Sequence, residues 1–249
     1  MRRSFSRIMT LAGRNEKEIL RDPLSLIFML ALPLFMEIVF YAVFHKLTPQ
    51  FEMKYLAPGI VVFSEAFLSL FAGMLIALDR ASAFLTRLFV SGTRAYEFIF
   101  SYALSLVPIA FVQTAVFYLV GGIIDRSIFG VGMIWGILLS VVTSLLFIGL
   151  GIFFGSVCNE KSVGGVSSIV IMCQSVLSGM WFPVEGLSGG MITFMKCLPF
   201  KNATDLMQNA LNGVTDPATD IIKPLLIVLA YTVVAFIAAI LCFKKKMKA

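Results

Sequence analysis

Glu37, Glu65 and Gln113 are the residues with chemistry to offer, because each sits inside a long apolar run. A carboxylate at bilayer depth costs on the order of 3 kcal/mol on insertion scales, so it turns toward a bundle interior or a wet cavity. There Glu37 and Glu65 would line a substrate path or hold a cation or proton. Equally, each is neutral or hydrogen-bonded to a neighbouring helix, and Glu37, close to one end of its run, would reach the interface. His45 stands beside Lys46, and the chain has no second histidine to share a metal. It reads as an interfacial polar residue. Cys158, Cys173, Cys197 and Cys242 show no CxxC or Cys/His pairing and read as small packing residues.

Catalytic signatures do not occur. The sequence has no GxxxxGK(S/T) phosphate loop, no HExxH, no GxSxG and no dinucleotide fingerprint. No catalytic, cofactor-binding or metal site is therefore expected, and active transport would draw on a partner protein or an ion gradient. Asn202-Ala203-Thr204 fits a glycosylation triplet, a pattern weak enough to treat as chance.

These residues have to be held by membrane helices. Of 249 residues, 59% are apolar and 14% are charged, with 24 Phe and a mean hydropathy of +0.95. A soluble domain carries about 25% charged residues, so there are too few charges here to coat a water-soluble enzyme. Disorder requires the opposite bias. The chain reads as an all-α integral membrane protein, a single transmembrane domain over residues 1–249.

Six apolar runs are long enough for a hydrocarbon core of about 30 Å. They are Leu24–Phe44, Tyr55–Leu78, Phe98–Ile124, Met133–Phe154, Val163–Phe182 and Ile221–Phe243. Six crossings put both termini on one side. The tails and the loops 79–97 and 155–162 hold 14 of the 20 basic residues, against six elsewhere, which makes the termini cytoplasmic. The same clustering at span ends points to lipid headgroups rather than nucleic acid.

Three stretches lie outside the spans. Residues 1–22 form an amphipathic helix for the inner interface, with Phe5, Ile8, Ala12 and Ile19 on one face. Residues 79–97 carry an apolar stripe of Ala81, Phe84, Leu85 and Leu88, with Arg80 and Arg87 on another face. Residues 183–220 keep a stripe of Met191, Ile192, Phe194, Met195 and Leu198; Pro199 interrupts it, and a second helix is expected over Asn202–Asn212. This last stretch fits an outer re-entrant segment. In the fourth span Gly132, Gly136, Ser140, Ser144, Gly151 and Gly155 suit close helix packing, within the chain in preference to a dimer seam.

The arrangement resembles the permease subunits of type-2 ABC exporters. In that family the loop after span two reads approximately Glu-Arg-x-x-Gly-Thr-Leu-x-Arg-Leu-x-x-x-Pro. Here it stands as Asp79, Arg80, Ala83, Phe84, Leu85, Arg87, Leu88 and Gly92, with Ala83, Phe84 and Gly92 replacing Gly, Thr and Pro. A second likeness runs through Ser178-Gly179, Phe182-Pro183-Val184-Glu185-Gly186-Leu187 and Leu198-Pro199-Phe200, where Lys201-Asn202 follows instead of Thr-Tyr.

The resemblance implies a plasma-membrane exporter in which two permeases, usually identical, pair with two separate ATPase subunits that hold ATP and Mg. Asp79, Arg80, Phe84, Arg87 and Leu88 would then form the coupling helix. Pro183, Glu185 and Pro199 would belong to the outer re-entrant segment. Phe63, Glu65 and Phe67 are candidates for a path carrying an amphipathic or hydrophobic cargo such as a drug, peptide or lipid-like molecule. The alternatives are a cation- or proton-coupled carrier using Glu37 and Glu65, a membrane-embedded enzyme, and a non-transporting scaffold.

Overall fold

The computed structural model describes residues 2–82, 93–182 and 184–246. All regular structure among them is helical. In chain order the helices are α1 (Arg2–Leu20), α2 (Pro23–Phe44), α3 (Met53–Ala81), α4 (Ala95–Ile124), α5 (Val131–Val157) and α6 (Glu160–Leu177). Two short helices follow, α7 (Gly189–Cys197) and α8 (Pro199–Asn212), before a π-helical turn at Ala218–Ile222 leads into α9 (Lys223–Lys246).

Among the described residues, five helices are long and apolar enough to cross a membrane: α2, α3, α4, α5, and α9 with its preceding turn. The run expected as the fifth of six crossings is α6, which has 18 residues and opens on Glu160 and Lys161. It stops at Leu177, short of the expected Phe182. Gly179 adopts φ 74°, a left-handed conformation that glycine takes without steric cost and that ends helices. α6 runs antiparallel to α3, since Val163 near its start meets Gly73 while Met180 just beyond its end covers Gly59.

α3 is the axis of the bundle. Its most apolar stretch is 78% buried, against 17% for α2, so α3 organises the core and α2 lies at the edge. Glycines let α5 approach it closely. An ideal Cβ on Gly151 would sit 2.2 Å from the Ser69 carbonyl oxygen, and one on Gly155 2.5 Å from that of Gly73. Gly136 lies beneath the Tyr118 ring and Gly132 beneath the Leu211 carbonyl. These small residues serve packing within the chain, as their spacing led us to expect. Gly164 and Gly165 of α6 instead meet no neighbour among the described residues.

Two apolar clusters fill the interior. One gathers Ile19, Leu75, Phe98, Ile152 and Phe243, which brings the end of α1 and the end of α9 to the same end of the bundle. The other gathers Ile60, Phe117, Phe147 and Met207 at the opposite end, where α8 packs.

α1 is helical and amphipathic, but its apolar face divides. Ala12, Asn15 and Ile19 are buried, whereas Phe5 is 66% exposed along with Met9 and Leu20. The cause is where α4 starts: its first turn meets Ser4 and Arg7 of α1 and leaves Phe5 outside. In the 183–220 stretch both expected helices occur, as α7 and α8. Pro199 opens α8 at its first turn, where proline is well tolerated. The Asn202 amide is buried and donates to the carbonyls of Lys196 and Leu198, at 2.8 and 2.6 Å, so the glycosylation triplet is not presented at the surface.

Candidate translocation and coupling sites

α3 delivers Asp79 and Arg80 at its last turn, and both bond within the chain. Asp79 is 5% exposed. Arg14 of α1 grips its carboxylate with both guanidinium nitrogens, at 2.8 and 3.0 Å. The Tyr102 hydroxyl of α4 donates to the same carboxylate. A bidentate pair of this kind is stronger and more directional than a neutral hydrogen bond. The bond to Asp79 holds the Arg14 pKa above its ordinary value.

Arg80 turns the other way. One guanidinium nitrogen donates to the carbonyls of Gly155, Ser156 and Cys158, at 2.7, 2.9 and 3.0 Å. Those carbonyls end α5, where a cation satisfies orphan acceptors and complements the helix dipole. Of the other residues read as a coupling helix, Phe84, Arg87 and Leu88 lie outside the described residues.

Sequence reasoning missed the far flank of this segment. Glu97, in the first turn of α4, is buried; it accepts from the Ser4 hydroxyl and, at 3.0 Å, from the Arg94 backbone N–H. Arg7 stands 3.8 Å from the same carboxylate. Asp79 and Glu97 bound the segment at its two ends, and an ionic residue at each end was the available signal. Neither Arg14 nor Tyr102 announces itself, since both partners are remote in sequence.

Within the bundle the structure separates the three residues assigned to a path. Phe63 and Phe67, one helical turn apart on α3, meet edge to face with centroids 5.4 Å apart. Glu65 lies on another face of the same helix and points into the α3–α5 seam, where Thr143 donates to it at 3.0 Å. Its second oxygen has no partner among the described residues. Glu37 is also fully buried, so it does not reach the interface. It lies over Gly121 beside Met53 and Ala57, with neither oxygen partnered among the described residues. Tyr118 sits within electrostatic reach of both acids.

An aromatic group near the second cluster was not legible either. Trp181 packs edge-on against Phe40 of α2 at 4.7 Å and against Phe63 at 6.0 Å, with Phe51 stacked beyond it. It joins α2, α3 and the chain after α6 in one aromatic contact. Pro183 and the Glu185 side chain lie outside the described residues. His45 stacks on Tyr41 and donates from Nδ1 to its carbonyl at 2.7 Å.

A helical bundle with five spans of membrane-crossing length and an apolar, aromatic interior defines a multi-pass membrane protein. The family profile described as ABC-2 type transporter matches residues 6–212. The chain belongs to that family, the permease component of type-2 ABC transporters, and membership implies partnership with an ABC ATPase component. Among curated proteins nothing matches the chain.

Proposed function

We propose that this permease pairs with a second copy of itself and with two separate ATPase subunits to export an amphipathic or hydrophobic cargo across the plasma membrane. The observation that carries this reading is the family match over residues 6–212, which takes in the 79–97 segment. In this arrangement α6 is the fifth of six crossings, a role its antiparallel course along α3 supports. An even number of crossings and the 14-to-6 basic bias put both termini in the cytoplasm. The exposed Phe5, Met9 and Leu20 of α1 face inner-leaflet lipid.

Energy enters through residues 79–97, which dock on the ATPase, and ATP and Mg bind there, not in this chain. Cargo moves between the two copies along α2, α3 and α6. Phe63, Phe67 and Trp181 supply an apolar lining, and the open Gly164–Gly165 face supports close approach of a partner helix. The unpartnered oxygens of Glu37 and Glu65 favour a second reading, cation- or proton-coupled transport. Cargo movement driven by an imposed pH gradient without ATP would support that alternative.

The deciding experiment expresses the chain with its ATPase subunit. Co-purification and ATP hydrolysis that requires both chains are expected, and turnover by the pure permease would overturn the assignment. Reporter fusions at Ala249 and at Lys46 should report opposite sides of the membrane.

A further inference from the structure

Asp79 and Glu97 stand at opposite ends of the 79–97 segment, and both are bonded to one helix, α1. Arg14 holds Asp79 by two nitrogens, at 2.8 and 3.0 Å. Ser4 and Arg7 hold Glu97, the latter at 3.8 Å. At a rise of about 1.5 Å per residue, Ser4 and Arg14 stand about 15 Å apart along α1, a fixed length set by helix geometry. Both acids are buried, and both belong to long helices. Tyr102 bonds Asp79 to α4, and Arg80 bonds the same turn to the end of α5.

We propose that α1 is a strut that fixes the spacing between the two ends of the coupling segment, with Arg14, Arg7 and Ser4 as its positioning residues. This rests on the coupling reading above. A segment pushed by an ATPase transmits force only if its ends move together; ends free to part would absorb the displacement locally. Charge-assisted bonds suit that duty, because they resist both stretching and rotation. A fork at Arg14 adds directionality that an ammonium would lack. α1 is therefore a mechanical part of the coupling device as well as a lipid-facing helix.

The test uses the whole permease–ATPase complex in nanodiscs. Spin labels at Ala81→Cys and Arg94→Cys, both exposed positions, report the end-to-end spacing. The background has the four native cysteines replaced. With α1 intact, the spacing should be the same in nucleotide-free and vanadate-trapped complexes. In the Arg7→Gln, Arg14→Gln double variant it should shift between the two states and broaden, while the ATPase still co-purifies. Tyr102→Phe, a milder change, should broaden it less. Arg14→Lys, which keeps charge but not the fork, should fall between wild type and the double variant. A merely structural tie would lower the melting temperature yet leave the spacing equal in both states, and that result would overturn the strut. So would a wild-type spacing that changes on trapping. Absence of any complex with the wild-type permease would instead overturn the coupling reading itself.

Discussion

The two ends of α3 are secured by different chemistry. At its last turn Asp79 and Arg80 are bound through ionic groups to α1, α4 and α5. At its first turn the backbone carbonyls of Lys54 and Tyr55 accept from the side-chain amides of Asn212 and Gln208, at 2.9 and 3.0 Å. Neutral amide bonds exchange readily for water and contribute little each, whereas a buried ion pair is costly to break on one side only. The contrast assigns rigidity to the end proposed to receive force, and replaceable contacts to the end proposed to face the exit.

The sharpest way to break this contrast is Asp79→Ala. It removes the buried partner of Arg14, which keeps its surface pair with Glu18 at 2.8 Å, and leaves the Tyr102 hydroxyl without its acceptor. A loss of about 2 kcal/mol is expected, below that of a fully enclosed pair because Arg14 keeps about a third of its side chain in solvent. Thermal unfolding in detergent reads it, and a change no larger than that of an exposed control substitution would erase the distinction between the ends.

Gln208→Ala should cost less, about 1 kcal/mol, because one neutral hydrogen bond is lost and water replaces it. The same unfolding assay should rank it below Asp79→Ala. The reverse ranking would mean that the amide-bonded end carries the stability.

The smallest effect concerns pH. Asp205 of α8 is pushed above the ordinary carboxylate range by burial, and neighbouring Lys201, 2.7 Å away, offsets this only in part. An acid whose folded pKa is raised binds more protons folded than unfolded, so stability falls as pH rises from its unfolded value through its folded one. Asp205→Asn should flatten that portion of the pH–stability curve, starting at about pH 4. An unchanged slope would remove Asp205 from the account.

Much of this architecture was legible in the residues. Apolar length located the spans, and glycine spacing marked α5 as a helix packed closely within the chain, because burial in lipid and close backbone approach each impose a composition. What was hidden depended on partners distant in sequence. Arg80 looked like a partner contact from its position in the loop motif, yet its acceptors are carbonyls at the end of α5. Asn15 sits in the buried face of α1, which an apolar pattern alone would not include. Phe63, Glu65 and Phe67 are grouped in the sequence as candidates for one path; helical geometry sets the middle one apart. Trp181 required the turn at Gly179 to bring it back over α2 and α3.

The glycine contacts of α5 have a further consequence. Gly151 and Gly155 press bare backbone onto Ser69 and Gly73 at two points one turn apart. With no side chains in between there is no bearing surface, and neither helix can roll about its own axis without lifting off the other. α3 and α5 together are a stator. Among the spans, α2 has the smallest buried share and is the one least restrained by its neighbours.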